Sequence, residues 1–279
     1  MASLPPAEPE TRLDKIVRIC FPMRLQLLAA RTAFAALVLA VLIAAGAIAG
    51  VRLGYFAFAP TGHALMIPAT LLGLVALLAA LVWFRQAFVR NAGEGKRMGM
   101  IALLGSLVFL YPPLSYAWAG LTSPPIHDAS SNPDDAPHFV ALLKERPPGR
   151  DQAGFDGQRL IRFRGEEMTV AYALHEYYGV TQPRAKLMPG SPDPVKTLFW
   201  RCFETVKALG WTIVDYSEAE GRIEATARSF WFGEISDIVV RARAAGAIGA
   251  RPDIRAASRT VEYDHGANLS LLEAFMKRI

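Results

Sequence analysis

The chain has 279 residues, of which 52% are hydrophobic, and its formal net charge is +5. This hydrophobic share is high for a soluble protein, and the length leaves room for one or two domains. The net charge does not indicate nucleic-acid binding, because it is unevenly divided. The 10 basic and 4 acidic residues of residues 1–118 give +6, whereas the 20 basic and 21 acidic residues of residues 119–279 give −1.

Three long uncharged segments predict three transmembrane helices. They are residues 32–51, residues 64–84 and the segment that begins at Met98. Each has about 20 residues or more, the length that an α-helix needs to cross roughly 30 Å of hydrocarbon. We expect a three-helix membrane domain at residues 32–118, preceded by a cytoplasmic tail at residues 1–31. The lipid bilayer is therefore the first expected partner.

Within this tail, apolar residues recur at helical spacing from Arg12 onward, at Leu13, Ile16, Val17, Cys20 and Phe21. This pattern has two interpretations that stay open. One is a short amphipathic helix on the membrane surface, and the other is a helical extension of the first span.

The charges around the three spans predict their orientation. Basic residues precede the first span and occupy the loop between the second and third, at Lys15, Arg18, Arg24, Arg31, Arg85, Arg90, Lys96 and Arg97. Only Arg52 lies between the first two spans, and the first charge after the third is Asp128. Because basic loops stay in the cytoplasm, we expect a cytoplasmic N-terminus and a periplasmic C-terminal domain, on a bacterial inner membrane.

The first span carries a small residue at every fourth position, at Gly46, Gly50 and Gly54. Such spacing lets helices approach closely and could join copies of the chain into a homo-oligomer. Packing against the protein's own spans is the favoured interpretation, because glycine is common in membrane helices. No span contains an ionisable residue, which argues against a transporter or channel but not against a subunit of one.

Residues 119–150 are rich in proline, serine and aspartate, and this composition predicts a tether at the outer face of the membrane. Potential metal ligands occur here at His127, Asp128, Asp134, Asp135 and His138. Their spacing matches no closed metal site, whereas Asn-Pro-Asp-Asp is typical of turns. We therefore predict a surface turn and no metal.

Residues 151–279 predict an extracytoplasmic α+β domain. Its first part is hard to interpret: residues 159–164 alternate like a short strand, and residues 169–178 fit strand or helix. A clear helix begins at Asp193-Pro194, where Asp is a good N-cap and Pro suits the first helical position. Its apolar stripe ends before Gly210, which suits a left-handed C-cap.

Four alternating segments then predict an antiparallel four-stranded sheet. Residues 211–216 and 222–229 form its first pair. Two further strands point apolar side chains inward, at Ile238, Val240, Ala242, Ile254, Ala256 and Ser258. With the helix after Asp193 and a final helix at residues 269–279, the chain predicts helices on one face of this sheet.

The opposite face of the predicted sheet is charged. Its outward side chains are Glu224, Thr226, Arg228, Arg241, Arg243, Asp253, Arg255 and Arg259. Several guanidinium groups on one face could bind a phosphate or carboxylate in bidentate fashion. The interleaved carboxylates favour a solvated face of cross-strand ion pairs instead.

Several segments of this half carry a family resemblance. They are PPIHDASSNPDDAPHF (124–139), LGW (209–211), GRIEATA (221–227), WFG (231–233), DIVVR (237–241), RAASR (255–259) and DHGAN (264–268). On these segments the chain resembles the bacterial membrane-protein family catalogued as domain of unknown function 1499. The resemblance covers most of residues 124–279 and implies no known reaction. The family shows a leucine or similar residue where this chain has His265.

The segment from Ser258 to Asn268 contains the residue types of a nucleophilic hydrolase, in Ser258, Asp264 and His265. No Gly-x-Ser-x-Gly elbow accompanies them, and His265 departs from the family pattern. Pairing of Arg259 with an aspartate, and Asn268 as the N-cap of the final helix, explain the same residues structurally. We therefore expect a latch that closes the sheet onto its last helix.

The leading functional hypothesis is a membrane-anchored periplasmic module that binds an envelope protein or an anionic ligand. The residues expected to bind are Arg241, Arg255, Arg259, Asp237, Asp264 and Asn268. A periplasmic hydrolase that uses Asp264, His265 and Ser258 is the alternative, and a subunit of a transport or secretion complex is the second alternative. No cofactor motif occurs, and Cys20 and Cys202 lie on opposite sides of the membrane in this topology.

Overall fold

The computed structural model describes residues 12–90, 95–149 and 154–279, and in the first of these ranges it describes the side chains of residues 24–88. The chain divides into two compact units, Met1–Ser115 and Tyr116–Ile279.

The first unit is built from long apolar helices. They are α1 (Arg12–Arg52), α2 (His63–Arg90) and α3 (Lys96–Thr122), whose last turns from Tyr116 belong to the second unit. The segments Arg24–Arg52, Phe58–Phe88 and Lys96–Thr122 are long enough to cross a membrane, and each contains an 18-residue stretch whose mean hydropathy is 2.6, 2.5 and 1.6, respectively. The three predicted apolar helices are therefore confirmed.

The backbone of α1 is helical without a break from Arg12 into the first apolar segment. It thus follows the second interpretation of the tail, a helical extension, while the side chains before Arg24 lie outside the described part. Of the three glycines only Gly50 is buried, and α1 also has buried alanines, at Ala30, Ala33, Ala40, Ala44 and Ala47. A Cβ atom on Gly50 would meet the ring of Phe56, so this glycine packs within its own chain. Oligomer formation through Gly46, Gly50 and Gly54 stays a prediction.

The second unit contains a six-stranded antiparallel sheet in the order β1-β8-β7-β6-β5, with β4 also paired to β8. The four predicted strands are β5 (Thr212–Ser217), β6 (Arg222–Arg228), β7 (Ile235–Ala244) and β8 (Gly249–Ser258). The prediction of a four-stranded sheet is wrong, because β1 (Asp128–Ser130) and β4 (Lys186–Leu187) extend it along β8. Strands of three and two residues are too short to show an alternating pattern.

The inner face of the sheet carries the apolar core. Two helices cover it, α5 (Pro194–Ala208) and α6 (Ala267–Arg278). The helix start predicted at Asp193-Pro194 is confirmed, because a carboxylate oxygen of Asp193 accepts a hydrogen bond from the amide of Lys196 at 3.0 Å. The inward residues of the two long strands pack against these helices, as the alternation predicts: Ile238, Val240, Ala242, Ile254 and Ala256.

Residues before α5 complete this core. A separate hairpin of β2 (Leu160–Phe163) and β3 (Glu166–Thr169) leads into α4 (Val170–Glu176). The short strand predicted near residues 159–164 is confirmed, and residues 169–178 are mainly helical. Buried side chains from this part, such as Phe163 and Leu174, join the same cluster.

The outer face of the sheet is not solvated, which corrects the interpretation of its charges. Residues 131–149, here named the cover segment, lie across it and contain a 3-10 turn at Leu142–Glu145. Phe139 and Leu142 of this segment pack on Val239 and Ala257 of the sheet, and all four are buried. Much of the predicted tether is therefore part of the folded domain. The proline-rich composition of these residues predicts an irregular backbone, but it does not predict whether that backbone is buried.

Glu224 fixes the cover segment to the sheet. This side chain is fully buried and its two carboxylate oxygens accept hydrogen bonds from the amides of Val140, Ala141 and Leu142, at 2.8, 3.1 and 2.8 Å. Arg222 pairs with the same carboxylate. A buried charge is tolerated only when it is paired and hydrogen-bonded, and Glu224 meets both conditions.

We expect Glu224→Gln to destabilise the domain by about 3 kcal/mol, because the amide group offers one acceptor oxygen and leaves Arg222 with less buried charge compensation. The thermal unfolding midpoint of the full chain in detergent measures this loss, and limited proteolysis should cut the cover segment sooner.

Glu220→Gln is the matched control, since Glu220 also pairs with Arg222 but its side chain is 60% exposed. Exposed pairs contribute about 1 kcal/mol or less. Equal destabilisation by the two substitutions would contradict the role assigned to Glu224.

Candidate functional site

Four of the arginines predicted on the outer face, Arg241, Arg243, Arg255 and Arg259, are paired with carboxylates that are buried or mostly buried. Asp237 is fully buried and binds two of them, Arg259 at 2.6 Å and Arg146 of the cover segment at 2.8 Å. Arg255 pairs with Asp128 of β1 at 2.7 Å. These ion pairs join the cover segment and β1 to β7 and β8.

A second group of charges lies further along the same face. Asp253 is fully buried, and Arg241 and Arg243 approach its Oδ2 atom to 2.9 and 2.7 Å. Asp135 of the cover segment contacts the same two arginines. Burial alone would raise the pKa of its carboxyl group, but the hydrogen bonds and charges of Arg241 and Arg243 together lower this pKa below its ordinary value. Asp135 therefore holds the cover segment at this end.

An open polar pocket of about 680 Å³ lies beside the first group of ion pairs. Its described lining combines charged and polar side chains with apolar walls: Pro125, His127, Asp128, Arg146, Pro148, Gly149, Gly154, Asp156, Arg159, Val170, Arg255, Glu262 and Tyr263. The lining comes from the segment around β1, the cover segment, the approach to β2, the start of α4, β8 and the chain after β8. All of these belong to the second unit.

Arg255 and Arg146 form the fixed part of this pocket. Arg255 is 1% exposed, and besides Asp128 it donates to the carbonyl oxygens of Pro137 and Gly154. Both guanidinium groups lie over the ring of Phe139, whose centroid is 4.6 Å from Cζ of Arg255 and 5.1 Å from Cζ of Arg146. Their positions are therefore set by packing as well as by charge.

Arg159 differs from these arginines. Its Nη2 atom lies 3.3 Å from Nδ1 of His127, and no carboxylate of the described residues forms an ion pair with it. A guanidinium group only donates hydrogen bonds, so this Nδ1 atom is the acceptor. The described lining of the pocket carries three arginines (146, 159 and 255) and three carboxylates (128, 156 and 262), so Arg159 is distinguished by its lack of an ion pair and not by an excess of positive charge.

The pocket residues were only partly predictable. Arg255 is the single member of the six predicted binding residues that lines it. The other five, Arg241, Arg259, Asp237, Asp264 and Asn268, make contacts inside the domain. Arg159, Tyr263 and Arg146 were missed, because they come from segments that the sequence does not show to be neighbours. His127 was noted only as a potential metal ligand.

The contacts of the segment from Ser258 to Asn268 are those of a structural latch, because they hold neighbouring elements together. The side-chain amide of Asn268 donates to Oγ of Ser258 at 3.0 Å and to the carbonyl oxygen of His127 at 2.8 Å. The two residues thereby join β8, α6 and the segment before β1. Asn268 is not the N-cap that the sequence predicts, because α6 begins at Ala267 after the left-handed Gly266.

Asp264 provides the capping interaction instead. Its Oδ1 atom accepts from the amide of Gly266 at 2.8 Å and its Oδ2 atom from the amide of Asn268 at 3.1 Å. The ring of His265 lies between those of Tyr116 and Tyr263, at centroid distances of 3.6 and 3.9 Å. The three residues predicted for hydrolysis, Ser258, Asp264 and His265, thus take part in capping, packing and hydrogen bonds of the latch.

The potential metal ligands of the predicted tether are likewise engaged in the fold. Asp128 pairs with Arg255, and Asp135 pairs with Arg241 and Arg243. Among residues 24–88, 95–149 and 154–279, no three His, Cys, Asp or Glu side chains lie together as a metal site. Cys202 is in the core, where burial raises the pKa of its thiol to about 12.

Asp264 makes the stability of the latch depend on pH. Burial raises the pKa of its carboxyl group to about 6, against the opposing hydrogen bonds from Gly266 and Asn268 and with a smaller contribution from Asp128. Between roughly pH 4 and 6 the folded state holds a proton that the unfolded chain has released, so this group favours folding less as the pH rises.

Asp264→Asn removes this titration. We expect the unfolding midpoint of the variant minus that of the wild type to become more positive between about pH 5 and about pH 7.5. The change should be equivalent to about 1.4 kcal/mol, because about one pKa unit of the shift lies above pH 5. Thermal unfolding of both proteins at each pH measures it. The same difference at both pH values would disprove the expectation.

A comparison with protein families gives one match. Residues 183–279 match the model of a family described as "Protein of unknown function (DUF1499)". The matched residues contain β4–β8, α5 and α6, and so most of the large sheet with both inner helices. No curated protein and no solved structure matches the chain. This match over residues 183–279 supports the family that the sequence resemblance predicts.

Proposed function

We propose that the protein is a membrane-anchored module whose C-terminal domain binds a small anionic ligand in the polar pocket. The observation that carries this proposal is Arg159, a guanidinium group that lines the open pocket and has no ion pair within the described residues. Such a group can bind a carboxylate or phosphate with two parallel hydrogen bonds.

The remaining lining supports a ligand with both charged and apolar parts. His127 and Tyr263 add polar side chains to the lining, and Pro125, Pro148 and Val170 add apolar surface. Pockets that hold small molecules combine apolar walls with a few placed polar groups in this way. The exposed carboxylates of Asp156 and Glu262 at the same pocket favour a ligand that also carries a donor group.

The membrane placement is part of the proposal. Three apolar helices of sufficient length, and basic residues concentrated before the first helix and between the last two, support an inner-membrane protein with a cytoplasmic N-terminus. The binding domain then lies in the periplasm, where envelope components provide phosphate and carboxylate groups.

Thermal unfolding of the full chain in detergent tests the ligand site, with inorganic phosphate, glycerol 3-phosphate, acetate and succinate as probes at constant ionic strength. A probe that binds the folded state at about 100 times its Kd adds about 2.7 kcal/mol of stability and raises the unfolding midpoint. We expect at least one probe to do so.

Arg159→Gln should abolish this shift, because the neutral amide loses the charge and the fork of donors. Arg162→Gln is the matched control: Arg162 lies on β2, is 73% exposed and pairs with Glu167, so the shift should persist. If no probe shifts the wild type, or if Arg159→Gln responds as the wild type does, the proposed site is wrong.

A further inference from the structure

The turn between β6 and β7 exposes two large aromatic side chains. Phe230 is 79% exposed and Trp231 is 51% exposed, and their rings meet edge to face at 5.0 Å. Exposed aromatic pairs of this size are unusual on a solvated turn, and tryptophan in particular is enriched where protein meets the membrane–water interface.

The backbone of this turn is closed by its own hydrogen bonds. The amide of Ser229 donates to the carbonyl oxygen of Glu234 at 2.9 Å, and the amide of Gly233 donates to the carbonyl oxygen of Ser229 at 3.1 Å. Gly233 has a φ of 72°, which residues other than glycine rarely adopt. The two aromatic side chains are therefore presented by an ordered turn.

Three contacts place this turn at the end of the sheet where the chain arrives from α3. Next to the turn, Oγ1 of Thr260 donates to Glu234 at 2.8 Å. Three residues further on, the hydroxyl of Tyr263 donates to the carbonyl oxygen of Ser123 at 2.7 Å and lies 3.0 Å from that of Ala119. The last turns of α3 carry exposed apolar side chains of their own, Trp118 at 68% and Leu121 at 71%.

The charge beside the turn fits a phospholipid surface. Arg228, the last residue of β6, is exposed, and no carboxylate of the described chain forms an ion pair with it. A basic residue next to aromatic side chains suits the interface, where the rings enter the headgroup level and the cation meets lipid phosphate.

We propose that Phe230 and Trp231 dock in the interfacial layer of the bilayer, so that the β6–β7 turn is a second membrane contact of the domain besides α3. The inference rests on the proposed membrane placement of the three apolar helices. It assigns a lipid surface as the partner of the turn and is independent of the ligand pocket.

Site-directed labelling tests this contact in the full chain, reconstituted into nanodiscs of zwitterionic and anionic phospholipids. Cys20 is replaced by serine, whereas Cys202 is fully buried and is left in place. Phe230→Cys then carries an environment-sensitive fluorophore, and a protein without the new cysteine gives the background. We expect lipids with a nitroxide near the headgroup to quench most of the emission, and aqueous iodide to quench little.

Ile248→Cys is the matched control. Ile248 is 55% exposed and lies in the turn between β7 and β8, at the opposite end of the sheet. Its label should be quenched by iodide and not by the lipid nitroxide. A second variant, Phe230→Cys with Trp231→Glu, should lose the lipid quenching, because a carboxylate opposes entry into the headgroup layer.

The results separate the two proposals. If the chain does not enter nanodiscs, both the membrane placement and the docking of the turn are wrong. If it enters but the Phe230 label responds to iodide alone, or is shielded from lipid and iodide alike, only the docking is wrong. Lipid quenching that persists with Trp231→Glu also overturns it.

Discussion

The domain depends on three carboxylates that are fully buried on the outer face of its sheet, Glu224, Asp237 and Asp253. An isolated buried carboxylate is costly, so each must be compensated by cations or amides at short distance. Arginines from the neighbouring strands supply part of this compensation. The cover segment supplies the rest through Arg146 and three backbone amides. The cover segment is thus an electrostatic requirement of the sheet as well as a layer over it.

Much of the architecture follows from local patterns. Uncharged segments of span length, the Asp193-Pro194 helix start and the alternation of β5–β8 each express a physical constraint over neighbouring residues, and each predicts its element correctly. The errors concern partners that are distant in sequence. β1 and β4 are strands only because β8 is beside them, and the outer face looks solvated in sequence because its alternating charges show nothing of the cover segment.

The same difference, between patterns of neighbouring residues and contacts of distant ones, explains why the site residues were only partly predictable. Residue types in the segment from Ser258 to Asn268 suggested catalysis, yet type alone does not show that Asp264 receives two backbone amides or that Asn268 bridges to Ser258. The pocket joins Arg159, His127 and Arg255 from parts of the chain separated by many residues. No spacing in the sequence predicts that these three residues lie together. The isolated charge of Arg159 becomes visible only once its neighbours are known.

The pairing of β1 with β8 also has a consequence for the order in which the domain folds. Asp128 and Ala257 are partners in the register, although they lie near opposite ends of the domain sequence. Hairpins such as β6–β7 and β7–β8 need only local loops and can close early, whereas β1 and the cover segment must wait until β8 has been synthesised. During that interval the outer carboxylates face water, which solvates them well. Completion of the sheet by β1 and full burial of its outer carboxylates therefore both depend on β8 being in place.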